Sequence, residues 1–211
     1  ASDNFVAGYI TTLDHSSDGV RIETSSPGTV YHHFDIDRSG GHGAIFVGRI
    51  GGVRDSVVRN SGLDGIVLSG PGDAVVEANE VFANRSGIVV TNNVSGTVTV
   101  VGSEDLSLER GNRVHGNRDN GISVSGGDTV VAGNTVSGHL GSNDIGIASG
   151  GGRVYGNVAF NNDIGISGQG VIEANRAFDN LSIGIRGTGA LGRYSDNVVY
   201  SNPRGIVLSP S

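Results

Sequence analysis

Apolar residues in this chain come in short alternating runs, never at helical spacing. One phrase recurs: glycine, then Ile or Val, a variable residue, then another apolar one. It appears as Gly19-Val20-Arg21-Ile22, Gly65-Ile66-Val67-Leu68, Gly87-Ile88-Val89-Val90 and Gly121-Ile122-Ser123-Val124. It continues at Gly146-Ile147, Gly165-Ile166, Gly184-Ile185 and Gly205-Ile206, and Ala44-Ile45-Phe46-Val47 fills the vacant place. A second phrase is Asn, four residues, Asn: Asn79/Asn84, Asn112/Asn117, Asn157/Asn162, Asn175/Asn180 and Asn197/Asn202, with Asp55/Asn60 and Asn134/His139 as variants. An apolar residue stands two positions after the first Asn (Val81, Val114, Ala159), and another three before it (Val76, Val154, Ile172). Period-two alternation in segments this short predicts strands.

Each repeat of about twenty-two residues therefore holds three short strands separated by Gly/Asn corners. The predicted fold is all-β: a single right-handed parallel β-helix of about nine rungs, stacked at the ~4.8 Å strand spacing. One rung cannot bury its apolar side alone; stacking makes the core continuous. Corner asparagines are expected to take left-handed backbone and to stack as amide ladders. The glycines before Ile are expected at positive φ. The step from Gly87 to Gly121 is about a dozen residues too long, which places an insertion at about 91–108. It reads as a surface loop or strand pair, or as a wall of a binding groove.

Composition narrows the chemistry. Glycine supplies 37 of 211 residues, and cysteine, methionine and tryptophan are absent. All 14 basic residues are arginine. Disulfides, thiolate zinc sites and lysine-dependent catalysis are excluded. The net charge of −7 disfavours nucleic acid, and no apolar run is long enough to span a membrane. Residues 1–211 read as one domain, expected to be a mature form or a module of a longer chain with flanking modules as partners.

Aligning rungs on the glycine phrase puts Asp18, His42 and Asp64 in one column. Two carboxylates about two rungs apart approach the spacing of inverting glycoside hydrolysis, ~6.5–9.5 Å. Asp18 is the candidate general acid or base, Asp64 the second carboxylate, His42 the tuner, and Arg21 a partner for substrate carboxylates. Phe82, Phe160, Phe178 and Tyr200, neighbours of inward residues, are expected to point outward in a column with Val58, His115 and Ser137, as a platform for sugar rings. The outward column beside the glycine phrase reads Arg21, Phe46, Val67, Val89 and onward, partly apolar. His32, His33, Asp35 and Asp37 could share a strand face as metal ligands, but a fourth fixed ligand is lacking. No cofactor is assigned, with calcium left open. Of three Asn-X-Ser/Thr sequons, Asn84 and Asn180 are corner residues, which leaves Asn93 as the glycan candidate.

From about Asn4 to Leu208 the repeat resembles the right-handed parallel β-helix superfamily, the pectate-lyase-like fold with its copper-insertion and sugar-hydrolase relatives. Locally, Ser39-Gly40-Gly41-His42-Gly43 resembles the Gly-His-Gly segment of polygalacturonases, and Ser17-Asp18 falls where that family has paired acids. The resemblance implies Asp18 as a catalytic carboxylate with His42 beside it. Ser17 replaces one acid of the pair, and the family's Arg-Ile-Lys is absent near Val67-Leu68-Ser69. Two functional readings follow. One is an extracellular or cell-surface domain acting on a polysaccharide as hydrolase, lyase or epimerase. The alternative is a non-catalytic adhesin, spacer or fibre module binding glycan or protein.

Overall fold

The computed structural model describes residues 6–92, 94, 96–126, 128–189 and 192–209. Nine rungs stack with every strand pair parallel. A typical rung comprises Val75–Glu77, Glu80–Phe82 and Ile88–Thr91, one strand per face. The first two rungs instead run unbroken across two faces, as Val6–His15 and Ser26–Ser39. Ser26–Ser39 thereby joins the first and second faces into one 16-stranded sheet, while the third face is a separate nine-stranded sheet. Among the described residues a single 3-10 turn, Leu106–Leu108, interrupts the β-structure.

Stacking in register builds the core. On the third face Ile66, Ile88, Ile122, Ile147, Ile166 and Ile185 lie one above another, and all are fully buried. Val76, Val101, Val131, Val154 and Ile172 do the same on the first face, and Val58, Val81, Val114, Val136, Ala159 and Ala177 on the second. Each fully buried Val or Ile contributes roughly 1.5–3 kcal/mol relative to exposure. The third-face and second-face registers correct two expectations. Phe46 lies in the inward column with Leu68, and Ile45 takes its outward place beside Val67. Val58 likewise points inward; Arg59 stands in the column of Phe82.

The two Asn columns are buried ladders. The Asn79 amide donates to Asn112 Oδ1 (2.9 Å), Asn112 to Asn134 (2.9 Å), Asn134 to Asn157 (3.0 Å) and Asn157 to Asn175 (2.9 Å). Each of those oxygens also accepts the backbone N–H of the preceding rung's Asn. The left-handed backbone falls one residue earlier than expected: on Ala78 before Asn79, Ala83 before Asn84, Ala174 before Asn175 and Asp179 before Asn180. That residue turns the chain outward, and the following Asn points into the rod, where its amide satisfies backbone polar groups that no water reaches.

The glycine column has a different cause from the one expected. Gly19, Gly43, Gly65, Gly87, Gly121, Gly146, Gly165 and Gly184 are not at positive φ. A Cβ at any of them would lie 2.5–2.9 Å from the carbonyl oxygen of the glycine one rung on. Close backbone approach at this corner, and not handedness, excludes a side chain.

Candidate functional site

The corner before this glycine column holds the predicted carboxylate group, and the fold does bring its members together. Asp18 Oδ1 accepts the backbone N–H of His42, one rung on, at 2.8 Å. His42 Nδ1 lies 3.5 Å from Asp64 Oδ2. Asp64 is gripped by Arg85, with Nε at 3.0 Å and Nη2 at 2.6 Å, and also accepts the Ser86 N–H at 3.2 Å. The same cap recurs farther along, where Asn120 Oδ1 accepts the N–H of Ile145 at 2.9 Å. Burial works against the Asp64 charge, but the Arg85 hydrogen bond and charge, Ser86 and His42 outweigh it and lower its pKa. Asp64 is thus held ionised and has no proton to donate. Arg21 is bound to Glu23 at 2.8 Å and approaches Asp18 at 3.5 Å, so its guanidinium already faces acids of its own chain.

The outward aromatics also fall in one column. Phe160 and Phe178 stack at 5.2 Å between centroids and 3° between planes, Phe178 and Tyr200 at 4.9 Å and 0°. Phe82 stacks on His115 at 4.9 Å and 6°. Ring faces are thus turned toward one another along the rod, so the column offers solvent mainly ring edges, whereas sugar stacking uses an open face.

His32 and His33 sit at a different corner. His33 is the left-handed residue there (φ 57°), in the column of Tyr9, Asp55 and Ala78. Successive strand side chains normally point to opposite sides, but this corner turns both imidazoles outward, between buried Tyr31 and Phe34. Their Nδ1 atoms meet directly, the ring centroids 4.7 Å apart at 78°. Tyr9 stacks on His33 at 4.9 Å and 18°. The corner also separates this pair from Asp35 and Asp37, so the expected four-residue set does not form. Asp35 pairs with Arg59 at 2.7 Å, and Asp37 with Arg38 at 3.1 Å.

The insertion is divided by the ordinary first-face strand Val98–Gly102, and its second segment, 103–111, forms a corner after it. Leu106 leans over Gly133 and Gly156, and beneath the second segment lies a groove of about 510 Å³ lined by Leu106, Glu109, Arg113 and Thr135. Asn93 lies outside the described residues. The perturbation of two groups was not legible in the sequence. Buried His139 occupies an Asn place in the second ladder, where burial chiefly lowers its pKa to about 4. Asp144 is raised by burial and by Asp119 and Asp163, against a backbone hydrogen bond at Gly141.

A stacked parallel solenoid with capped corners defines a β-helix repeat protein. The family described as "Periplasmic copper-binding protein (NosD)" matches residues 2–203, and the chain belongs to that family. No curated protein and no solved structure matches the chain. The family is periplasmic, in accord with the expected location outside the cytoplasm, and no helix among the described residues is long and apolar enough to cross a membrane. The family's copper-binding description overturns the expectation that no cofactor is involved.

The donors can be tested against copper. With no cysteine or methionine, the chain has no sulfur ligand. Among the described residues no three His, Asp or Glu are grouped to hold a metal ion. The converging Nδ1 atoms of His32 and His33 are imidazole donors, a ligand type that suits copper. The residues fit the metal as an open two-nitrogen seat, not as a closed cage.

Proposed function

We propose that this chain is a non-catalytic extracytoplasmic scaffold that binds one copper ion and holds it on a rigid rod for exchange with a partner. The carrying observation is the commitment of the candidate catalytic groups: Asp18 and Asp64 each cap the backbone of the next rung, and Asp64 is neutralised by Arg85. Membership of a family described as copper-binding supplies the ligand. The protein would contribute imidazole donors at an exposed corner, where a bound ion keeps open positions for a ligand from elsewhere. Equilibrium dialysis against cupric ion at neutral pH should retain one ion per chain. Retention of none would refute the proposal.

Action on a polysaccharide is the finer alternative. It draws support from the proximity of Asp18, His42 and Asp64 and from the outward rings Phe82, Phe160, Phe178 and Tyr200. Release of reducing ends or unsaturated sugar from a polysaccharide panel, abolished in Asp18→Asn, would establish it and displace the scaffold reading.

A further inference from the structure

Nearly every described rung turns its first corner on a residue with left-handed backbone, and in four of them that residue is Ala or Gly. Ala78, Gly133, Gly156 and Ala174 occupy the place at φ values of 53°, 68°, 63° and 53°. Glycine takes this conformation without strain, and His, Asn and Asp are the side chains that tolerate it best, so Asp55 and Asp196 hold the place in two other rungs. In the second rung the place is taken by His33, preceded by a second outward histidine, His32.

The consequence is electronic. A neutral imidazole carries one N–H and one lone pair. When two Nδ1 atoms face each other, one proton can satisfy the contact only if the tautomers differ; otherwise two lone pairs oppose one another. A cation held by both nitrogens, with the rings parted to admit it, satisfies both lone pairs at once. Tyr9, stacked on the outer face of His33, holds that ring in place. Acids on the following strand do not compete, because Asp35 and Asp37 are tied to Arg59 and Arg38.

We propose that His32 and His33 form a two-nitrogen seat for cupric ion, with water or a partner's ligand completing the coordination. The proposal rests on the copper-binding reading above and gives it a place and an oxidation state. Nitrogen donors without sulfur favour Cu(II) over Cu(I), and among divalent first-row ions copper(II) binds such donors most tightly. Exposure of the seat suits exchange more than storage.

The test is a cupric titration followed by electron paramagnetic resonance on the whole chain. Wild type should bind one Cu(II) with superhyperfine splitting from imidazole nitrogen. His32→Ala combined with His33→Asn, the second chosen because Asn tolerates left-handed backbone, should weaken binding at least ~10-fold and remove the splitting. Circular dichroism verifies that this variant keeps its β-structure. His115→Ala, a distant control, should leave the signal unchanged. Undiminished binding and splitting in the double variant would overturn the His32–His33 seat and leave the copper-binding reading standing. Absence of any bound cupric ion in wild type would overturn both.

Discussion

His139 shows how far a single buried residue can deviate from a repeat while keeping its hydrogen bonds. It stands in a ladder otherwise made of Asn84, Asn117, Asn162, Asn180 and Asn202. The Asn117 amide donates to its Nε2 at 3.2 Å, and its Nδ1–H donates to Asn162 Oδ1 at 2.8 Å. Only the neutral ring with the proton on Nδ1 fits both bonds. Protonation would set an Nε2–H against the Asn117 amide donor, and burial already lowers the folded pKa to about 4. The unfolded chain, with an ordinary histidine pKa near 6.5, binds the extra proton first. Stability is therefore full above about pH 6.5 and declines as pH falls toward about 4, by about 3 kcal/mol in total. Denaturant unfolding at pH 7 and pH 4.5 should show the loss, and His139→Asn should reduce it by restoring an amide to the ladder. An unchanged pH slope in that variant would contradict the assignment. The Asn-x4-His variant was visible in the sequence. Its burial and tautomer were not, because they depend on the rungs above and below.

At the scale of the element, strands were legible because inward residues repeat with the corner phrase. The Ile column of the third face and the Val column of the second follow from that spacing alone. Orientation next to a corner was less legible. Val58 faces inward because Asp55 is the left-handed residue one before the Asn place, which Ser56 fills, and Phe46 does so because the glycine phrase there begins at Gly43, with Ala44 beside Ile66. The same shift hid the His32–His33 corner: the Asn phrase lapses upstream, where Ser56 and Phe34 stand in its column. The glycine and corner columns make opposite predictions for the same substitution. At Gly165 a Cβ would come 2.6 Å from the Gly184 carbonyl oxygen and 2.8 Å from Asn180 Nδ2. Gly165→Ala should cost about 3 kcal/mol through backbone displacement. Gly116 has nothing within 4 Å of its Cβ position at φ 59°, a conformation that Ala83 adopts in the same column. Gly116→Ala should cost only about 1 kcal/mol. Equal losses in chemical denaturation would remove the close-approach explanation.

For the whole molecule, the high glycine count and scarce aromatics describe a thin rod, whose stacked rungs need many corners and small inward side chains. The regular repeat made the architecture readable, and the same regularity made the functional group hard to read. Asp18, His42 and Asp64 share a column because every rung shares columns, and their bonds are those of corner caps. Ion pairs concentrate in the early rungs, among them Arg38–Asp14, Arg59–Asp35 and Arg110–Glu77. Exposed pairs of this kind contribute only about 0–1 kcal/mol each, so the rod is held by its core and ladders. The feature that repetition does not explain is the pair of adjacent outward imidazoles whose Nδ1 atoms meet at the first corner of the second rung. A copper-edge anomalous difference map from crystals grown with one equivalent of cupric ion tests that point most directly. A single peak between the Nδ1 atoms of His32 and His33 is the predicted result. A peak in the Asp18–His42–Asp64 column, or none, would contradict it.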